Sequence, residues 1–141
     1  DLKAKIEQLR LQAALKMGLG DVSNKNYPKM CLLNSPINGG AIHTRCYIPH
    51  VCHDAIGVLA AVTVATACVL PDSVADGLAV ASKKEGNSSL MSIEHPSGEF
   101  SVELTTAADD ATNVLSAALL RTARLIMRGE VMVASHLGAQ A

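Results

Sequence analysis

Aromatic side chains are nearly missing from this chain, which has two tyrosines, one phenylalanine and no tryptophan. Stacking platforms for bases or sugars are therefore not expected. An excess of basic charge is missing too. Twelve Lys and Arg stand against thirteen Asp and Glu, for a formal net charge of −1, so there is no electrostatic footprint of a nucleic-acid partner. No C-x-x-C pair occurs among the cysteines at 31, 46, 52 and 68. With no secretory signal at the start, these read as free thiols of a reducing, cytoplasmic compartment. No G-x-G-x-x-G follows a candidate strand, which argues against dinucleotide binding. The longest apolar run, Ala55 to Leu70, makes a helix of roughly 24 Å at about 1.5 Å per residue. That is short of a hydrocarbon core of about 30 Å, so no membrane span is expected.

What is present suits one domain with a real core: 141 residues, rich in Ala, Val and Leu. The first residue is Asp1, not Met, and the chain opens straight into helical periodicity, as a fragment or processed chain would. Leu2 to Met17 reads as an amphipathic helix. Leu2, Ile6, Leu9 and Ala13 share one face, Leu11 and Leu15 lie beside it, and Gly18 and Gly20 stop it. Asp21 to Pro28 is a polar loop. Met30 to Leu33 is strand-like, Asn34 to Gly40 is a turn, and Ala41 to Ile48 alternates as a strand does.

The segment Asp54 to Leu70 poses a choice. Its β-branched residues lean towards strand. Its unbroken length and its six alanines and glycines between Ala55 and Leu70 favour a helix, and a helix apolar all round is a buried one. Pro71 ends it. Ser73 to Ala81 reads as a short helix or a turn followed by a strand, and Lys83 to Ser89 as a polar loop. Leu90 to Glu94 and Glu99 to Leu104 read as two strands joined by a hairpin at His95-Pro-Ser-Gly98. Asp109 to Met127 has helical periodicity, with Val114, Leu115, Ala118, Leu119, Leu125 and Ile126 inward. Arg128-Gly129 is its stop. Val131 to Val133 is a short strand and Ser135 to Ala141 a tail. This order predicts an α/β (α+β) fold, a curved mixed sheet wrapped round a central buried helix.

Chemistry concentrates where that helix begins. A helix N-terminus favours anions. Arg45 adds a fork that fits a carboxylate, and His50 and His53 add donors that titrate near neutral pH. The plainer alternative is that both histidines cap the helix and bond to backbone. Cys52 is a candidate nucleophile or acid/base if the helix start lowers its pKa, or a half-buried thiol without a role. His43, Cys46, His50, Cys52 and His53 fall within eleven positions, but their spacing is not that of a structural zinc site, so no metal is expected. Ser97 and its neighbouring N–H groups either meet a ligand or simply make a turn. Arg121, Arg124 and Arg128 share a face, which is solvated or an oligomer contact.

Several segments together carry a resemblance. They are Met17-Gly18-Leu19, Pro28-Lys29-Met30-Cys31-Leu32-Leu33, Thr44-Arg45, Pro49-His50-x-Cys52-His53-x-Ala55, His95-Pro96-Ser97-Gly98 and Arg121-Thr122-Ala123-Arg124-Leu125-Ile126-x-Arg128-Gly129-Glu130-Val131. In this order and spacing the chain resembles the C-terminal half of the methylaconitate isomerase, 3-methylitaconate isomerase and 4-oxalomesaconate tautomerase family. The resemblance implies a diaminopimelate-epimerase-like fold of two similar halves with the site between them. Residues 1–27 would be an N-terminal helix and linker, and 28–141 the C-terminal half-domain.

It also implies cofactor-independent, allylic proton transfer on an unsaturated di- or tricarboxylic acid. The family's acid/base lysine and cysteine would lie in an N-terminal half that these 141 residues do not include. No proton-transfer residue is assigned here, and the chain alone is expected to be inactive. Its share is substrate binding, through Arg45, His50, Cys52, His53 and Ser97. The partners implied are the polycarboxylate, the N-terminal half and a second copy in a homo-oligomer, with no nucleic acid. The alternative is a half-domain that binds or assembles without chemistry. Two departures stand out: Leu59-Ala60 where the family commonly has Thr-Gly, and Pro71-Asp72-Ser73 where it often has Pro-Gly-Thr.

Overall fold

The computed structural model describes residues 1–134. Along them run α1 (Leu2–Lys16), β1 (Met30–Asn34), β2 (Ile42–Ile48), β3 (Val51–Cys52), α2 (Val58–Val69), β4 (Lys83–Glu85), β5 (Ser88–His95), β6 (Gly98–Thr106) and β7 (Val114–Leu119). The strands form one mixed sheet in the order β1-β2-β5-β6-β7, with β3 on β2 and β4 on β5. Among the described residues only β2 and β5 pair in parallel, with Ile42 opposite Ile93. A parallel pair needs a crossover, and α2 supplies it. The fold is α+β, with α2 packed on the mixed sheet, as the sequence implies.

Alternation decides which side chains meet α2. Ile42 and Cys46 from β2, Met91 and Ile93 from β5, and Phe100, Val102 and Leu104 from β6 join Ala61, Val64 and Ala65 of α2 in one core. Register aligns them, since Ile93 faces Phe100 and Met91 faces Val102. Alanines at 61 and 65, both fully buried, let the helix approach the sheet closely. The opposite face of α2 is open: Leu59 is 81% exposed. The expected burial on all sides is therefore corrected to burial on one side. The helix is apolar all round, but the described residues cover only the sheet side.

Two buried charges pin the loops. Arg10 of α1 is fully buried. Its Nε and Nη2 donate to both oxygens of Glu7 at 2.7 and 2.8 Å. Its remaining N–H groups reach the carbonyls of Val22, Lys25 and Tyr27 at 3.1, 3.4 and 2.6 Å. The inward stripe of α1 is accordingly Ile6, Arg10 and Ala14, while Leu2 and Leu9, expected inside, are exposed. An arginine with its donors all engaged can be buried where hydropathy alone would not place it.

Glu94, at the end of β5, is the second. It accepts from the backbone N–H groups of Ile37, Asn38 and Gly40 at 2.8, 2.8 and 2.7 Å. Burial opposes its ionisation most. The three donors and nearby His43 outweigh that and hold the carboxyl below its usual range. A β-carbon on Gly40 would come within 2.6 Å of the Glu94 Cγ, so only glycine fits.

Four further expectations are corrected. The helix expected over Asp109 to Met127 is instead β7, paired antiparallel with β6 from Val102–Leu119 to Thr106–Val114. Alanine's helix preference is a weak prior, and the unpaired edge of β6 overrides it. Beyond Leu119 the described chain has no helix, and Leu125, Ile126 and Met127 are exposed. An amphipathic stretch with nothing to pack against gains little from helix formation. Val131 to Val133 likewise forms no strand. The polar stretch Lys83 to Ser89 is not a loop throughout. Lys83–Glu85 pairs with Ser88–Leu90 across a tight turn at Gly86, whose φ is +57°. Ser73 to Ala81 holds turns and no helix or strand. The tail expected at 135–141 lies outside the described residues.

Candidate functional site

The start of α2 is the best-furnished candidate for an anion site. Its N-cap is Gly57, which has no side chain to bond the first-turn N–H groups, and among the described residues no side-chain cap bond is made there. Those groups keep their donors and the partial positive charge of the helix end. Lys29 stands beside them: a β-carbon on Gly57 would lie 4.0 Å from its Nζ. Residue choice alone missed Lys29. The signal available was Pro28-Lys29 directly ahead of a strand, since Lys29 precedes the edge strand β1 that lies alongside β2.

The segment that leads into α2 is held from two sides. The His53 N–H donates to the Cys46 carbonyl at 2.7 Å. The Ala55 N–H donates to His53 Nδ1 at 2.8 Å, so in the neutral ring the proton sits on Nε2. From the β5–β6 turn, Ser97 Oγ donates to the Asp54 carbonyl, and the Ser97 N–H bonds His95 Nδ1 at 3.3 Å. Cys52, half-buried, points its thiol at the His53 carbonyl, 3.7 Å away.

The sequence-derived residues thus divide. His53 and Ser97 meet around Asp54, just before the helix, with Cys52 against His53. Arg45 does not join them. It alternates with the core residues Thr44 and Cys46 on β2 and is exposed on the opposite face of the sheet. His50 sits at the β2–β3 turn with its Nδ1 3.7 Å from Glu7 of α1. The physical reason is the late start of the helix. Residues 51–52 add a strand to β2, so His50 and Cys52 are hairpin residues.

The remaining thiols differ in environment. Burial pushes the Cys68 thiol up to about 11, as befits a core side chain. Cys31 and Cys46 face each other across β1 and β2. The proton-sharing contact with Cys31, helped by the charge of Lys29, lowers Cys46 below the ordinary thiol value, while Cys31 is raised.

A family described as PrpF protein matches residues 1–134. The chain is 49% identical over 132 residues to a 4-oxalomesaconate tautomerase of Pseudomonas putida, covering 94% of this chain and 35% of that protein. It is 54% identical over 133 residues to a (4E)-oxalomesaconate Delta-isomerase of a Novosphingobium species, covering 94% of this chain and 36% of that one. A putative isomerase, YbhH, of Escherichia coli is 44% identical over 130 residues, covering 92% and 36%. The chain therefore spans about a third of the length of these relatives. Among solved structures, a methylitaconate-delta-isomerase matches with a TM-score of 0.72 at 22% identity, over 93% of this chain and 37% of that one. That likeness concerns the fold.

Proposed function

We propose a function from one premise: the chain belongs to the PrpF protein family. It is the anion-binding portion of a cytoplasmic, cofactor-independent isomerase that moves a proton along an unsaturated di- or tricarboxylic acid. The observation that carries this is the uncapped start of α2 beside Lys29, in a chain about half identical to an oxalomesaconate tautomerase and isomerase. First-turn N–H groups and an ammonium would hold a substrate carboxylate. The same charges favour the dienolate that forms when a proton leaves the carbon next to an acid group. His53, with Nε2–H free to donate, and Ser97, which fixes the Asp54 carbonyl, shape the approach. Arg45 and His50 face elsewhere and would contribute only through a surface that the remaining length of the protein, or a second copy, brings to them.

The proton-transfer pair belongs to the other two thirds of the relatives' length. The 141-residue chain should therefore show no turnover of an aconitate- or oxalomesaconate-type acid, followed by ultraviolet absorbance of the conjugated system. In a protein of full family length, Lys29→Ala should raise KM at least several-fold with a smaller change in kcat. Turnover by the 141 residues alone, or an unchanged KM in the variant, would remove the assignment. The second reading, an assembly module without chemistry, rests on the exposed apolar residues Leu120, Leu125, Ile126, Met127, Val131 and Met132. It predicts a full-length protein that self-associates but does not isomerise these acids.

A further inference from the structure

One nucleophilic pair takes no part in the proposed binding site. Cys31 and Cys46 are direct partners in the antiparallel β1–β2 register, so both side chains lie on the same face of the sheet. Directly opposed residues have Cα atoms about 4.5 or 5.5 Å apart, within the span of about 4.4–6.8 Å that a disulfide bridges. Cys46 is 1% exposed. Cys31 is half-buried on β1, at the edge of the sheet, where a small molecule can approach.

We propose that Cys31 and Cys46 are a two-thiol modification site that closes into a cross-strand disulfide by exchange with a low-molecular-weight disulfide such as oxidised glutathione. Of the two thiols Cys46 is the more readily ionised, with Cys31 opposite it and Lys29 nearby, and one proton then remains on Cys31. When that proton passes from Cys31 to Cys46, the accessible Cys31 becomes the thiolate. Its sulfur attacks one sulfur of the small disulfide, the S–S bond breaks, and one small thiolate leaves. Cys46 gives its proton to that leaving thiolate and attacks the Cys31 sulfur of the mixed disulfide, which expels the second small molecule as a thiolate; water protonates it. The protein is oxidised by two electrons and the small disulfide is reduced by two. Cys52, on β3 against the His53 carbonyl, and Cys68, on α2 and packed against the core, stay as thiols.

The test is incubation of the reduced protein, without denaturant, in oxidised glutathione, followed by acid quench, alkylation, intact mass and peptide mapping. The expected product has lost about 2 Da through two hydrogens, with the peptides of Cys31 and Cys46 joined. C52S should still close. C46S should stop as a single glutathione adduct on Cys31. A wild-type protein that keeps the adduct, links through Cys52 or Cys68, or does not react overturns the proposal. The wild-type measurement stands even if a variant fails to fold.

Discussion

Replacement of Glu94 by glutamine tests the reasoning about buried charge most directly. The carboxylate has three backbone donors: Asn38 and Gly40 on Oε1, and Ile37 on Oε2. Glutamine can keep the first two on its single oxygen. Its NH2 then faces the Ile37 N–H, donor against donor. A hydrogen bond to a charged group contributes about 1.5–3 kcal/mol and an orphaned buried donor costs about 1–3 kcal/mol. Since these overlap in one N–H group, the expected loss is about 2–4 kcal/mol at pH 7. Urea unfolding followed by circular dichroism measures it, with an unchanged slope as the sign that only stability moved.

The pH dependence gives an independent check on Glu94. Its carboxyl titrates below the usual 4.5 in the folded chain. The unfolded state therefore binds more protons between the two values, and the stabilisation is fully present above about pH 4.5. It fades as pH falls through the depressed folded value. At that point the wild-type carboxyl is protonated and resembles the amide, so the difference between the two proteins should shrink. A loss below about 1 kcal/mol at pH 7, or one that does not shrink in acid, would refute the account.

Two other substitutions probe the same scaffold. Arg10→Lys replaces five fixed donors by three, so at least two of the acceptors among Glu7, Val22, Lys25 and Tyr27 lose their partner. A destabilisation of about 2 kcal/mol is expected in thermal or urea unfolding. Gly40→Ala places a methyl 2.6 Å from Glu94 Cγ and 2.9 Å from the Ser92 carbonyl, which the Ala41 N–H holds at 2.8 Å. Overpacking there should cost about 1–3 kcal/mol by the same measurement.

The first helix, the strands β1, β2, β5 and β6, and the helical state of the Ala-rich run are legible in the sequence because each is fixed by local pattern. Periodicity of 3.6 or 2, a stop at Gly18 and a Pro-Ser-Gly hairpin act within a few residues. Family membership is legible for a similar reason, since short segments recur in fixed order along the chain. Three things needed the tertiary structure. Residues 114–119 become a strand because the edge of β6 is open to them, which no local preference reveals. Arg10 and Glu94 are buried because loops distant in sequence bring them backbone partners, carbonyls in one case and N–H groups in the other.

The candidate site divides in the same way. That the region around His53 leads into a helix start is local, and the sequence carries it. That Arg45 faces away follows from strand alternation once β2 is placed against α2. That Lys29 comes up beside Gly57 depends on β1 lying next to β2, a pairing between strands. Side-chain identity determined what chemistry this chain can offer: cations, imidazoles and thiols ahead of an apolar helix. The strand pairing alone decided which of those groups share a face, because register and alternation are settled only when the sheet assembles.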